Sequence, residues 1–306
     1  MKEEFKPEVA IILRSDETIK KFKLKRITIN TSFGPVHRCY IGHIYKVPVL
    51  VIYGRFNGEK VPSNYINFEQ TIEAVKNSGA KKLIGTFVVG GINPSMPQGS
   101  VYVLGDIVGM GNYRINWNQN KPFHNAEMYE PFCSELTNQL CLASRKMPFP
   151  VKEKAIYVSF NGYPRIETKA ELDFYNKQGW DIVGQTCDPE ATFARLNQLC
   201  YAGVAVQIDD PTGRAGYIDS LKEKQEKEAY VESIKSCRER TTKIVLQFLK
   251  DYKNYECDVC CKMSRKNNNF REFPDEFYEW GGKNENIFCN TIFTIMWWKI
   301  RSEKRI

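Results

Sequence analysis

The sequence predicts an α/β domain built on a mixed or largely parallel sheet with helices on both faces. Two observations carry that expectation. Short β-branched apolar runs recur as far as residue 208, of a length suited to buried strands. Stretches of helical period lie between them, the alternation that builds covered sheets.

In chain order, the candidate strands are VAIIL at 9–13, VPVLVIY at 47–53, KLIGTFVV at 82–89, VYVLGDIV at 101–108, AIYVSF at 155–160 and YAGVAVQI at 201–208. The candidate helices are FEQTIEAVKNSGA at 68–80, KAELDFYNKQG at 169–179 and PEATFARLNQL at 189–199. The first two close at Gly79 and Gly179, as helices often do. A long charged amphipathic pattern follows from Ile218 to Tyr252, with Val231, Ile234, Ile244, Phe248 and Leu249 on its apolar face. After Tyr255 the period is lost. The reading is therefore one domain over 1–255 and a C-terminal appendage over 256–306, a candidate for poor order.

The composition sets bounds on function. With 306 residues, 42% hydrophobic and 26% charged, the chain falls in the ordinary soluble range, which excludes collagenous, membrane-spanning and wholly disordered classes. The net charge of +8 comes from lysines and arginines scattered beside acids. That pattern is a solvated surface, so no nucleic-acid partner is expected. No apolar run approaches bilayer length, and MKEEFKPEVA carries acids where a leader would not. No membrane partner and a cytoplasmic location are expected.

Ten cysteines in such a chain read as thiols. Cys39, Cys133, Cys141, Cys187, Cys200 and Cys237 are spread singly, which suits core packing. Cys257, Cys260 and Cys261, with Cys289 beyond, contain one C-x-x-C. Zinc would want a second pair or nearby histidines, and His37, His43 and His124 all lie far upstream, so no metal site is expected.

In α/β sheets ligands sit beyond the carboxyl ends of strands, so the strand-end turns are the places to look for chemistry. LRSDET at 13–18 has no glycine to cradle an anion; Ser15 and Thr18 suit either a phosphate or a helix cap. Arg55, in YGRFNGEK, offers a fork for phosphate or a surface ion pair. FVVGGINP at 87–94 runs from a strand into paired glycines. Glu167 enters a helix and suits a capping acid as well as a site residue. Asp209 and Asp210 end a strand, where acids are commonly turn formers.

Together these landmarks fall in a known order. GRF at 54–56, GGINP at 90–94, EPFC at 130–133, IETKAE at 166–171 and WDIVGQTCDPE at 180–190 resemble the trimeric purine nucleoside phosphorylase and methylthioadenosine phosphorylase family over about residues 8–250. The resemblance implies that family's α/β fold, whose mixed central sheet is partly barrel-like and flanked by helices. It implies exchange of the purine of a nucleoside for inorganic phosphate as co-substrate, with no cofactor, through a cation-like ribosyl centre. Positioning and electrostatics supply the rate in such chemistry. The implied assembly is a homotrimer or a subunit of a larger assembly, with the EPFC loop reaching a neighbour's site.

Carried over residue by residue, Arg55 and Thr186 match phosphate ligands, and Ser15 and the Val88 position fall where others are expected. The family's phosphate-binding histidine is replaced by Phe56 or Asn57. Glu167 matches the glutamate that reads 6-oxopurines, and Asp209 the aspartate that faces the purine of methylthioadenosine. Both are candidates to assist departure of the base. Gln185 stands where a ribose-lining methionine is expected, and the second purine-side acid falls on Pro211. Phe87 replaces Asn or Thr, and Val88 replaces a small alanine, so the phosphate site reads as degraded. Three functions follow: a working phosphorylase; a catalytically impaired nucleoside-binding or structural subunit; or a nucleosidase using water, with Glu59 or Asp188 as base.

Overall fold

In the computed structural model, residues 5–55, 61–110, 126–160, 165–209 and 224–260 are described. Nine strands form one sheet: β1 (Val9–Leu13), β2 (Lys25–Thr31), β3 (Gly34–Ile44), β4 (Val47–Tyr53), β5 (Lys82–Gly91), β6 (Val101–Gly109), β7 (Val151–Ser159), β8 (Ile182–Gly184) and β9 (Cys200–Gln207). Their order is β2-β3-β4-β1-β5-β8-β7-β6-β9, and a further β5–β9 pairing closes the last five into a barrel. The mixed, partly barrel-like sheet is thus present. β1 runs parallel to both β4 and β5, while β8 and β6 run antiparallel to β5 and β9.

Six helices surround the sheet among the described residues: α1 (Asp16–Lys21), α2 (Phe68–Asn77), α3 (Ser134–Ser144), α4 (Lys169–Lys177), α5 (Cys187–Leu196) and α6 (Lys224–Asp251). All five β1 residues are buried, and successive side chains go to opposite faces. Ala10 and Ile12 pack with Ile72 of α2 and Ala191 of α5. Val9, Ile11 and Leu13 pack with Leu140 of α3 and Phe248 of α6. The sheet is covered on both faces for that reason.

Local chemistry sets the helix ends. Asn67 accepts the Gln70 N–H at 2.9 Å to start α2, and the chain leaves through Gly79 at φ +86, a conformation glycine adopts without strain. Thr168 and Glu171 form a reciprocal capping box on α4. The capping acid is Glu171, which leaves Glu167 outside the cap.

Four elements, β2, β3, β8 and α3, escaped the sequence reading. The β2–β3 hairpin alternates exposed and half-buried positions at its first strand, so it lacks an apolar run. β8 has three residues, too few for any period. Helix α3 begins just after EPFC, a segment equally compatible with a helix start and a loop.

Cys260, 3% exposed, packs in the core of the domain. Residues 261–306 lie outside the described residues, as does nearly all of the expected appendage.

Candidate active site

The site arises where β5 changes partners. Along one edge β5 pairs with β9 from Lys82 to Val89. Along the other it pairs first with β1, through Lys82–Gly85, and then with β8, through Gly90 and Gly91. Between these ladders, Thr86, Phe87 and Val88 face a cavity of about 170 Å³. Side chains satisfy the backbone groups at the gap, as buried polar groups require. Thr86 Oγ1 donates to Ile12 O at 2.8 Å, and Arg55 Nη1 donates to Thr86 O at 2.8 Å.

Arg55 projects from the end of β4 and is held from several sides. Its Nε and Nη2 donate to the two oxygens of Glu190 at 2.6 and 2.9 Å, and its guanidinium lies 4.3 Å from the Phe87 ring centroid. Glu190 also accepts from the Tyr201 hydroxyl at 2.7 Å. The side chains of Arg55 and Glu190 are 11% and 1% exposed. Burial works against the Arg55 charge, but Glu190 outweighs it and holds the group above its ordinary value. Of five N–H donors, three are engaged in these bonds.

The cavity holds two further arginines that the sequence reading passed over. Arg14, after β1, and Arg238, on α6, line it with Arg55, Val88 and Thr186, and no acidic residue joins them among the described residues. Burial and the nearby Arg14 charge push the Arg238 guanidinium below its ordinary value. Three cations around one cavity favour an anion. Arg14 was legible as the residue after the first strand, but α6 is distant in sequence and only the fold brings Arg238 to the same place.

Thr186 stands at the N-cap position of α5 with no capping bond from its side chain. The backbone N–H groups of Thr186 and Cys187 donate to the Tyr157 hydroxyl at 3.3 and 3.4 Å. That hydroxyl crosses Gly184, where an added Cβ would lie 2.2 Å from it. Val88 is 38% exposed, with its bulk in the cavity wall, whereas Phe87 is buried at 2%.

The other expected residues are placed differently. Ser15 accepts the Thr18 N–H at 3.2 Å and contacts its hydroxyl at 3.0 Å, so it serves as the cap of α1. Gln185 accepts from the Ser63 hydroxyl at 2.5 Å, beside the cavity but not in its wall. Asp209 lies at the barrel rim. Its Oδ1 accepts the Gly91 N–H at 2.9 Å, and a Cβ on Gly90 would come within 3.3 Å of its Oδ2. The paired glycines therefore admit side chains of β9: a Cβ on Gly91 would sit 2.3 Å from Gln207 Nε2.

Glu167 is half-buried, and burial raises its carboxyl above the ordinary range. Asp188 accepts from Thr192 Oγ1 at 2.6 Å and lies outside the cavity wall. Asn57, with Phe56, Glu59, Asp210 and Pro211, lies outside the described residues.

The fold thus places a basic cavity at strand ends, the region where α/β sheets bind their ligands. Residues 8–250 match the Phosphorylase superfamily, and the chain belongs to that family. A probable S-methyl-5'-thioinosine phosphorylase of Thermodesulfovibrio yellowstonii is 32% identical over 220 residues, covering 70% of this chain and 82% of that protein. The 6-oxopurine nucleoside phosphorylase of Pyrococcus furiosus is 30% identical over 197 residues, covering 62% of this chain and 74% of its own length. The fold is shared with the methylthioadenosine phosphorylase of Schistosoma mansoni solved with tubercidin (TM-score 0.69, 21% identity, 85% of this chain and 96% of that one). No helix among the described residues is long and apolar enough to cross a membrane.

Proposed function

We propose that this chain catalyses phosphate-dependent cleavage of the N-glycosidic bond of a purine nucleoside. The observation that carries the reading is the cavity walled by Arg14, Arg55 and Arg238 at the strand ends. At about 170 Å³ it is smaller than the ~300–1,000 Å³ typical of whole-ligand pockets. That size suits an oxyanion and part of a sugar, with the base beyond it toward Asp209 and Glu167. Relatives bearing nucleoside phosphorylase names support the same class.

In this reading the arginines and Thr186 hold phosphate against the ribosyl carbon. The C–N bond to the base breaks as the C–O bond to phosphate forms, and the departing nitrogen takes the bonding electrons and a proton. Asp209, fixed on the Gly91 amide, faces the purine. Glu167, with its raised carboxyl, suits proton sharing with it. The phosphate end is rebuilt around Arg14 and Arg238 in place of a glycine loop. A homotrimer or larger assembly belongs to the proposal; Tyr129, 90% exposed, directly precedes the Glu130–Cys133 loop expected at a neighbour's site.

A second reading, a nucleoside-binding member impaired in catalysis, is favoured by the engagement of Arg55 with Glu190 and by the bulk of Val88. Incubation with inosine, adenosine and methylthioadenosine, with and without phosphate, separates the two. Base release that requires phosphate and yields a pentose 1-phosphate supports the enzyme. A nucleoside-induced rise in melting temperature without turnover supports the binder, and phosphate-independent release overturns both.

A further inference from the structure

We infer that Cys133, Cys200, Cys257 and Cys260 form a tetrahedral thiolate site for a zinc ion at the end of the barrel away from the anion cavity. Their four Sγ atoms all lie within 4.8 Å of one another. A Zn–S bond of about 2.3 Å requires S···S edges near ~3.8 Å in a tetrahedron, and Cys133 Sγ lies 3.9 Å from Cys257 Sγ. Three of the four residues are buried and Cys257 is half-buried. Four convergent sulfurs and no oxygen ligand form a soft donor set that selects zinc over hard cations. The sequence offered only one C-x-x-C; the fold supplies the second pair from residues 67 positions apart in the chain.

The surroundings fit a charged cluster. The Cys260 N–H donates to Cys257 Sγ at 3.2 Å, and the Tyr255 hydroxyl lies 3.4 Å from Cys133 Sγ. Such outer contacts orient metal ligands and offset their charge. Cys133 immediately precedes α3, so it stands at the positive end of a helix, which favours thiolate. Lys82, paired in register with Cys200, is buried with its ammonium 4.6 Å from the Tyr255 ring centroid. Zinc with four thiolates carries a net negative charge; the Lys82 ammonium over the Tyr255 ring is ion-paired with Glu8. Binding expels the thiol protons and changes no oxidation state.

The site would tie together the start of α3, the start of β9 and the chain leaving α6. Cys200 and Gln207 lie at opposite ends of β9, a span of about 23 Å at ~3.3 Å per residue, so the ion would take no direct part at the cavity. It would anchor the far end of the helix that carries Arg238 there.

Elemental analysis of the full-length purified chain tests this, together with cobalt(II) titration after removal of bound metal and thiol counting under denaturing conditions. Expected are about one zinc per chain, a cobalt form with thiolate charge-transfer and tetrahedral visible bands, and metal-dependent thermal stability. Cys257→Ser, the least buried of the four, should weaken cobalt binding at least ~10-fold and lower the melting midpoint by more than ~5 °C. No zinc and no cobalt uptake by the wild type overturns the inference, as does a disulfide within the four, iron in place of zinc, or unchanged cobalt binding in Cys257→Ser. The wild-type titration decides the matter even where the variant fails to fold.

Discussion

Glu190 is the structural partner of Arg55, and replacing it with glutamine separates the structural duty of that arginine from its proposed chemical one. Glu190 accepts three bonds, at 2.6 and 2.9 Å from Arg55 and 2.7 Å from Tyr201. Glutamine keeps one carbonyl acceptor and turns an amide N–H toward a guanidinium that is also a donor. It leaves a cation of 11% exposure without its counter-charge. Breaking a buried pair from one side costs about 3–5 kcal/mol; because one acceptor survives, a loss near ~3 kcal/mol is expected for Glu190→Gln. Urea denaturation at pH 7 measures it.

Phosphate should return part of that loss. Saturation at ~100 times Kd stabilises any binder by about 2.7 kcal/mol. In the variant the anion also meets an uncompensated Arg55, so its Kd should fall about tenfold, worth a further ~1.4 kcal/mol. A denaturation loss below ~1 kcal/mol, or greater stabilisation of wild type than variant by phosphate, would refute the argument that Arg55 borders the anion and is neutralised by Glu190.

Other outcomes follow from the same geometry. Arg238→Ala should raise KM for phosphate about tenfold, the scale of one lost charge-assisted hydrogen bond, while Arg238→Lys recovers part of it; an unchanged phosphate KM removes α6 from the site. Asp209→Asn keeps an acceptor for the Gly91 amide and removes the charge, so kcat should fall ~10²–10⁴-fold with little change in phosphate KM. Equal kcat in steady-state assays would leave the base side without Asp209. Hydrogen bonds from Arg165, with the Thr168 backbone, depress the Glu171 carboxyl from 4.5 to about 2. A depressed carboxyl lends stability that is present above pH 4.5 and lost as pH falls toward 2. Glu171→Gln should therefore cost about 1 kcal/mol at pH 7, the scale of a helix cap. That deficit should vanish as unfolding is followed down to pH 2; a constant deficit would contradict the assignment.

The buried strands and amphipathic helices were legible in the sequence because burial on both faces leaves continuous apolar runs and a 3.6-residue period, as in VAIIL and FEQTIEAVKN. Five short landmarks in order were enough to indicate the family. Elements without such runs stayed hidden: β2 alternates at the surface, and β8 is fixed by its neighbours' hydrogen bonds. Among the cavity residues, Arg55 and Thr186 were legible because each sits in a landmark at a strand or helix end, and Val88 because it leads into one; the three meet in one cavity.

What only the tertiary structure decided is the company those residues keep. Local sequence carries period, caps and turns, because these depend on neighbours a few positions away. It carries no record of which distant side chains converge. The engagement of Arg55 with Glu190, 135 positions on, the arrival of Arg238 at the strand ends, and the meeting of Cys133 and Cys200 with Cys257 and Cys260 were all set by sheet order and helix packing. The sequence reading of the anion site left out Arg14 and Arg238, and its reading of the cysteines did not join Cys257 and Cys260 to Cys133 and Cys200, because each was judged along the chain, where electrostatics and coordination act through space.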